Sequence, residues 1–222
     1  MWLLSRLPMR RLTHLVLAPT SRLVRLMLGE KRIACDLAAA DNPLAHLPVF
    51  QDLDGTVVTG LWAIIDHLEN EHPEHPLLPE DAAERGEALR LFDWTMNNFH
   101  EETTKRIVFE KGSQAQTGSI NRRPPNMETV RLGRQALKER LPGIGVLAET
   151  RGFLAGREVS LADLALAAHL SALDYFGEIP WTEHQPVMEW YSRMKSRPSF
   201  RPLLSDRVPG QPPVSHYAEL DF

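Results

Sequence analysis

The chain has 222 residues, 43 % hydrophobic and 24 % charged, with a net charge of −4. That composition suits a soluble globular protein of one large or two small domains whose core needs no staples. It argues against a basic nucleic-acid binder, and the lone Cys35 excludes an internal disulfide. Because no apolar run approaches the roughly 20 residues needed to cross a bilayer, no membrane insertion is expected.

The opening "MWLLSRLPMRRLTH" is basic, and Ser5, Arg6 and Pro8 interrupt its apolar stretch, so it does not read as a secretory signal. Residues 1–13 are expected to be an extension, with Met9 an alternative start. A single cysteine fits a reducing, cytoplasmic setting. The run "HLVLAPT" (14–20) predicts a buried strand ending at proline. In "SRLVRLMLGEK", Leu23, Leu26 and Met27 share a helical face, with Ser21 as cap and Gly29 as stop. "RIACDL" predicts a second strand with Cys35 as a small buried hydrophobe. Strand, helix and strand in this spacing make a βαβ unit.

"PVF" and "TVV" flank Asp54-Gly55, a hairpin turn signal. Pro48 at the head of a strand predicts an edge position or a cis bond. Leu61, Ile64, Ile65 and Leu68 follow the i, i+3, i+4, i+7 pattern of a helix. His67, His72 and His75 fall at the end of that helix and in the proline-rich stretch after it. They read as a solvated loop, and no metal site is expected. Beyond the linker the pattern is helical: 82–110, 127–141, "SLADLALAAHLSAL" and "PVMEWYSRMKSRP", with "NRRPP" in a polar loop. Trp62, Trp94, Trp181 and Trp190 read as core or interface residues. The chain ends "VPGQPPVSHYAELDF", where prolines lead into two aromatics and several acids.

Over nearly its whole length the sequence resembles the glutathione S-transferase family. "NPLAHLPVF" is similar to that family's cis-proline segment, with Pro48 as the proline. "DGTVVTGLWAIIDHL" resembles its hairpin and following helix, and "FLAGREVSLADLALAAHL" its C-terminal-domain signature. In that signature Ser160 and Asp163 stand as a capping box. The resemblance implies a thioredoxin-like α/β domain (14–71), a linker (72–82), an all-helical domain (83–204), a proline-rich partner-binding tail (205–222) and a homodimer.

The resemblance also locates the glutathione site, and two parts of it lack their chemistry here. Pro19 matches the proline after the catalytic hydroxyl or thiol, which puts Ala18, with nothing to donate, at that position. Gly60 and Leu61 fall where the family places an acid and a serine to grip the ligand's γ-glutamyl end. Thr20 and Ser21 are nearby hydroxyls that would serve an active transferase in an alternative reading. The degenerate site, with no cofactor expected, and the ending "HYAELDF" resemble a non-catalytic branch of this superfamily: bacterial division proteins that bind the FtsZ polymer. That branch implies a tail of partner-contacting residues, His216, Tyr217, Glu219, Leu220, Asp221 and Phe222, acting at the division site. Tyr217 and Phe222 would be the aromatic anchors. The alternative geometry for the tail is a strap packed on the helical domain, and a third reading is a subunit of some other complex.

Overall fold

A computed structural model describes residues 9–40, 46–112, 114–117 and 123–220. The first strand, β1 (Arg11–His14), leads into α1 (Pro19–Glu30) and β2 (Asp36–Ala39). The hairpin β3 (Val49–Gln51) and β4 (Val57–Thr59) follows, then α2 (Leu61–Glu71). Among the described residues the sheet order is β2-β1-β3-β4. β1 runs parallel to β2 and antiparallel to β3, and β3 antiparallel to β4. Leu12 pairs with Phe50 across the sheet, and both are fully buried.

This is the expected α/β unit, with its elements shifted. The first strand ends where the sequence predicted it to begin, so it lies largely in the segment read as an extension. Pro19 explains the shift: its fixed φ suits the first helical position, and the helix starts there rather than at Ser21. The apolar residues Leu15 and Leu17 are buried in the turn before the helix instead of in a strand. The Leu17 N–H bonds to the carbonyl of Gln116 in the helical domain at 2.8 Å, not to a sheet neighbour. The second strand starts just after Cys35, which is half-buried. Burial lifts the Cys35 thiol to about 11, so it is a poor nucleophile near neutral pH.

Gly29 does not end α1. It lets Ser199 approach so closely that a Cβ there would lie 2.7 Å from the serine Cβ. The Leu47–Pro48 bond is cis, and Gly55, at φ 90°, closes the hairpin turn.

The predicted long helix is continuous but not uniform. Asp81 caps α3 (Ala82–Trp94) by accepting from the Ala83 and Glu84 N–H groups. The segment Thr95–Thr104 is π-helical, and α4 (Lys105–Lys111) and α5 (Gln114–Thr117) follow. The next helix, α6 (Met127–Arg151), continues through Pro142 instead of stopping at Leu141. Proline removes one ladder bond, but Leu141, Ile144 and Ala148 are buried on both sides of it, against α8 (Gln185–Lys195). Packing outweighs the lost bond.

Helix α7 (Leu161–Tyr175) is buried along its entire length, as a helix apolar on all faces must be. A 3₁₀ turn, Trp181–Glu183, precedes α8, and α9 (Arg201–Leu204) and a second turn, Ser215–Ala218, close the chain. α1 lies along α7, so the α/β and helical parts share one apolar core. Trp181 and Trp190 are in it, whereas Trp62 is 58 % exposed and only rests its ring on Phe92, centroids 4.9 Å apart. Among the described residues no helix is long and apolar enough to cross a membrane.

Candidate functional site: the glutathione positions and the tail

The positions that the resemblance assigns to a glutathione site lie where β1 turns into α1 and where the cis-proline strand meets α2. Ala18 occupies the N-cap position of α1 without a side-chain cap bond. Ser21 is fully buried, and its Oγ accepts from the Leu15 N–H at 3.2 Å, so that hydroxyl holds the preceding turn. Thr20, half-buried in the first helical turn, is the more accessible of the two hydroxyls. On the other side Gly60, at φ 89°, caps α2 and donates its N–H to the Pro48 carbonyl at 3.0 Å. Leu61 packs on the core. An acid at Gly60 would need a backbone conformation that L-residues rarely adopt. None of Ala18, Pro48, Gly60 and Leu61 carries a side-chain hydrogen-bond donor or acceptor.

A polar network that the sequence did not announce is centred on α1. Arg22, fully buried in α1, donates to the Val16 carbonyl at 2.9 Å and to Ser171 Oγ at 2.9 Å. It also donates to Tyr217 Oη at 2.8 Å and to Asp206 at 3.0 Å. Arg25 grips both oxygens of Asp206, at 2.8 and 2.9 Å. Burial opposes the charge on Arg22, but Tyr217 and Asp206 outweigh it and hold the guanidinium above its usual range. The available signal was two arginines, three residues apart, beside an apolar stripe; nothing local indicates that Asp206 meets them.

The tail is a strap up to residue 218. The Val208 N–H donates to Tyr175 Oη at 2.9 Å, and that hydroxyl donates to the Gln211 carbonyl at 2.8 Å. His216 Nε2 lies 3.2 Å from Asp174, a carboxylate that also accepts from Trp181 Nε1 at 2.9 Å. Tyr217 is fully buried, its ring edge on Tyr175 with centroids 5.2 Å apart. This corrects the expectation that Tyr217 is an exposed anchor. Glu219 and Leu220 are exposed, Leu220 by 40 %. Asp221 and Phe222 lie outside the described residues.

At the start of α7, Asp163 accepts from the Ser160 N–H at 3.0 Å and the Ser160 hydroxyl at 2.9 Å. It also receives the Leu154 N–H at 2.9 Å and the Trp190 indole at 3.0 Å. The capping box therefore also joins α8 and the preceding loop to α7. The expectation of a solvated loop holds for His75, whose side chain is exposed, but not for His67 in α2 and His72 at its C-cap, which are mostly buried and meet at Asp52.

The C-terminal-domain model of glutathione S-transferases matches residues 126–198. The chain is 41 % identical to FtsZ-localized protein A of Caulobacter vibrioides, over 96 % of this chain and 98 % of that protein. It belongs to the glutathione S-transferase superfamily. Its fold superimposes on the structure of FzlA from C. crescentus with a TM-score of 0.89, covering 96 % of this chain and 100 % of that one. A glutathione S-transferase from Rhodospirillum rubrum F11 superimposes with a TM-score of 0.90 at 38 % identity, over 96 % and 100 % of the two chains. Within the superfamily, then, the chain is similar both to a division protein and to a protein described as a transferase. The similarity to FtsZ-localized protein A supports a division-related role.

Proposed function

We propose that this chain is a binding protein rather than a transferase: in the cytoplasm, at the division site, it attaches to FtsZ polymers and regulates constriction. The observation that carries this reading is the 41 % identity, over 96 % of the chain, to a protein named for its localisation with FtsZ. The chemistry of the glutathione positions supports it. Ala18 offers no hydroxyl or thiol to stabilise a thiolate, and Gly60 and Leu61 offer no acid or serine to a γ-glutamyl group.

Tyr217 is enclosed in the fold and His216, though partly exposed, is engaged with Asp174, so contact with the filament falls to the end beyond them. Glu219 and Leu220, followed by Asp221 and Phe222, combine apolar area with negative charge that suits a basic patch. The strap fixes where this end leaves the body, which lowers the ordering cost of docking. A homodimer presents two such ends and gains avidity on a polymer.

Co-sedimentation with polymerised FtsZ tests the reading. The full chain is expected in the pellet, and a chain ending at Ala218 in the supernatant with its melting temperature unchanged. Deletion from Ser215 is a poorer test because it also removes buried Tyr217. Equal pelleting of the full and shortened chains would remove the tail from the mechanism, and failure of the full chain to pellet would remove FtsZ.

The similarity to the R. rubrum transferase favours a second reading, glutathione-dependent transfer using Thr20 or Ser21. Retention on immobilised glutathione, with thiol-transfer activity lost in Thr20→Ala or Ser21→Ala, would establish it.

A further inference from the structure

We propose that Asp52, His67 and His72 form a site for a divalent transition-metal ion, with Zn²⁺ the fitting occupant. The three residues come from two elements: Asp52 from the β3–β4 turn, His67 from the last turns of α2, and His72 from its C-cap. Both imidazoles aim Nε2 at the same carboxylate oxygen, Asp52 Oδ2, each at 2.9 Å. The three ligand atoms lie within 4.8 Å of one another.

The other carboxylate oxygen is already held. Asp52 Oδ1 accepts from Arg10 Nε at 2.7 Å and from the Leu53 N–H at 2.7 Å. These bonds fix the carboxylate without either histidine, leaving Oδ2 for a further partner, as outer-shell bonds do around metal-ligating carboxylates. The His67 ring is steadied by Phe50, at 5.8 Å between centroids, and lies edge-on to His72 at 6.0 Å.

Two imidazole nitrogens and one carboxylate oxygen are a donor set for Zn²⁺, with bonds of about 2.0–2.2 Å and ligand atoms about 3.3 Å apart. Reaching that spacing requires each imidazole to withdraw from Asp52 by a few tenths of an ångström. The two imidazoles are 14 % and 17 % exposed, so the cluster reaches solvent. In the proposed site water would complete the zinc coordination. Arg10, on the far oxygen, tempers the affinity without occupying the ligand side. A bound ion would clip the hairpin turn to the end of α2 and stabilise the fold by mass action.

The test is calorimetric titration of the chelator-treated full chain with ZnCl₂ near neutral pH. The expected result is one ion per chain with a micromolar or tighter Kd, and visible bands of four-coordinate geometry when Co²⁺ replaces Zn²⁺. His67→Ala and His72→Ala should each lower the affinity by at least about tenfold, whereas His75→Ala, in the linker, should leave it unchanged. Should an alanine variant fold poorly, His72→Gln, whose amide can still bond to Asp52, reads the same loss. Absence of saturable uptake, or uptake that survives both histidine substitutions, overturns the proposal. Neither outcome bears on FtsZ binding.

Discussion

The hydroxyl of Tyr217 accepts from Arg22 Nη1 at 2.8 Å and donates to the Leu203 carbonyl at 3.0 Å. The two side chains are 195 positions apart. This contact joins the tail to the first helix in a place closed to water. It explains why an aromatic residue near the end of the chain is not free to bind: its ring and hydroxyl complete the coordination of a buried guanidinium.

Tyr217→Phe keeps the ring and removes the hydroxyl. Arg22 then loses one acceptor and the Leu203 carbonyl one donor. A loss of about 1–3 kcal/mol is expected, read as a lower urea midpoint with an unchanged m-value. An unaltered midpoint would mean that the hydroxyl contributes nothing to the strap.

Asp206 neutralises two arginines, so Asp206→Asn leaves both short of a charge partner, Arg22 in full burial. Breaking such a pair from one side costs about 3–5 kcal/mol when buried. Asp206 itself keeps 12 % of its side chain exposed, which places the expected effect near the lower end. The strap should also loosen, and limited trypsin digestion should cut after Arg207 faster than in the wild type.

Asp163→Asn replaces two acceptor oxygens by one acceptor and one donor. Asp163 accepts from Ser160, Leu154 and Trp190, and an amide N–H would face backbone N–H or indole donors in place of one carboxylate oxygen. A cost of about 2–3 kcal/mol is expected, with a fall in Trp fluorescence contrast between folded and unfolded chain as the Trp190 indole loses its acceptor.

Stability should fall on acidification, in part through His14. Burial, with Arg25 beside it, lowers the His14 pKa from 6.5 to about 4. Between those values the unfolded chain takes up a proton that the folded chain refuses. The contribution is therefore complete above about pH 6.5 and is lost as pH falls towards 4, amounting to about 3 kcal/mol. Urea midpoints across that range should drop in the wild type and drop less in His14→Phe. Parallel slopes would show that His14 is not the titrating group.

Signals that act over a few residues were legible. Asp54-Gly55 marked the hairpin, Pro48 the cis bond, and Ser160 with Asp163 the start of α7. The i, i+3, i+4, i+7 pattern located α2, and a continuous apolar run located α7. Errors came where a tertiary contact overruled a local preference. Pro142 did not stop α6 because the helix is buried on both sides of it, and the small size of Gly29 serves the close approach of Ser199 rather than a helix stop. The exposed Trp62 shows the same limit: its size suggested burial, but its position on α2 turns it outward.

By itself the sequence determined the order of elements, the α/β unit followed by helices, and the absence of a hydroxyl at Ala18 and of an acid at Gly60. Those properties are local: each depends on a residue's own chemistry and its near neighbours along the chain. Only the tertiary structure decided that Tyr217 is enclosed, that Arg22 and Arg25 share Asp206, and that Asp52 gathers two histidines. Burying a polar side chain is costly unless partners meet its hydrogen bonds, and for Arg22, Arg25 and Tyr217 those partners come from distant parts of the chain, outside any window of adjacent residues.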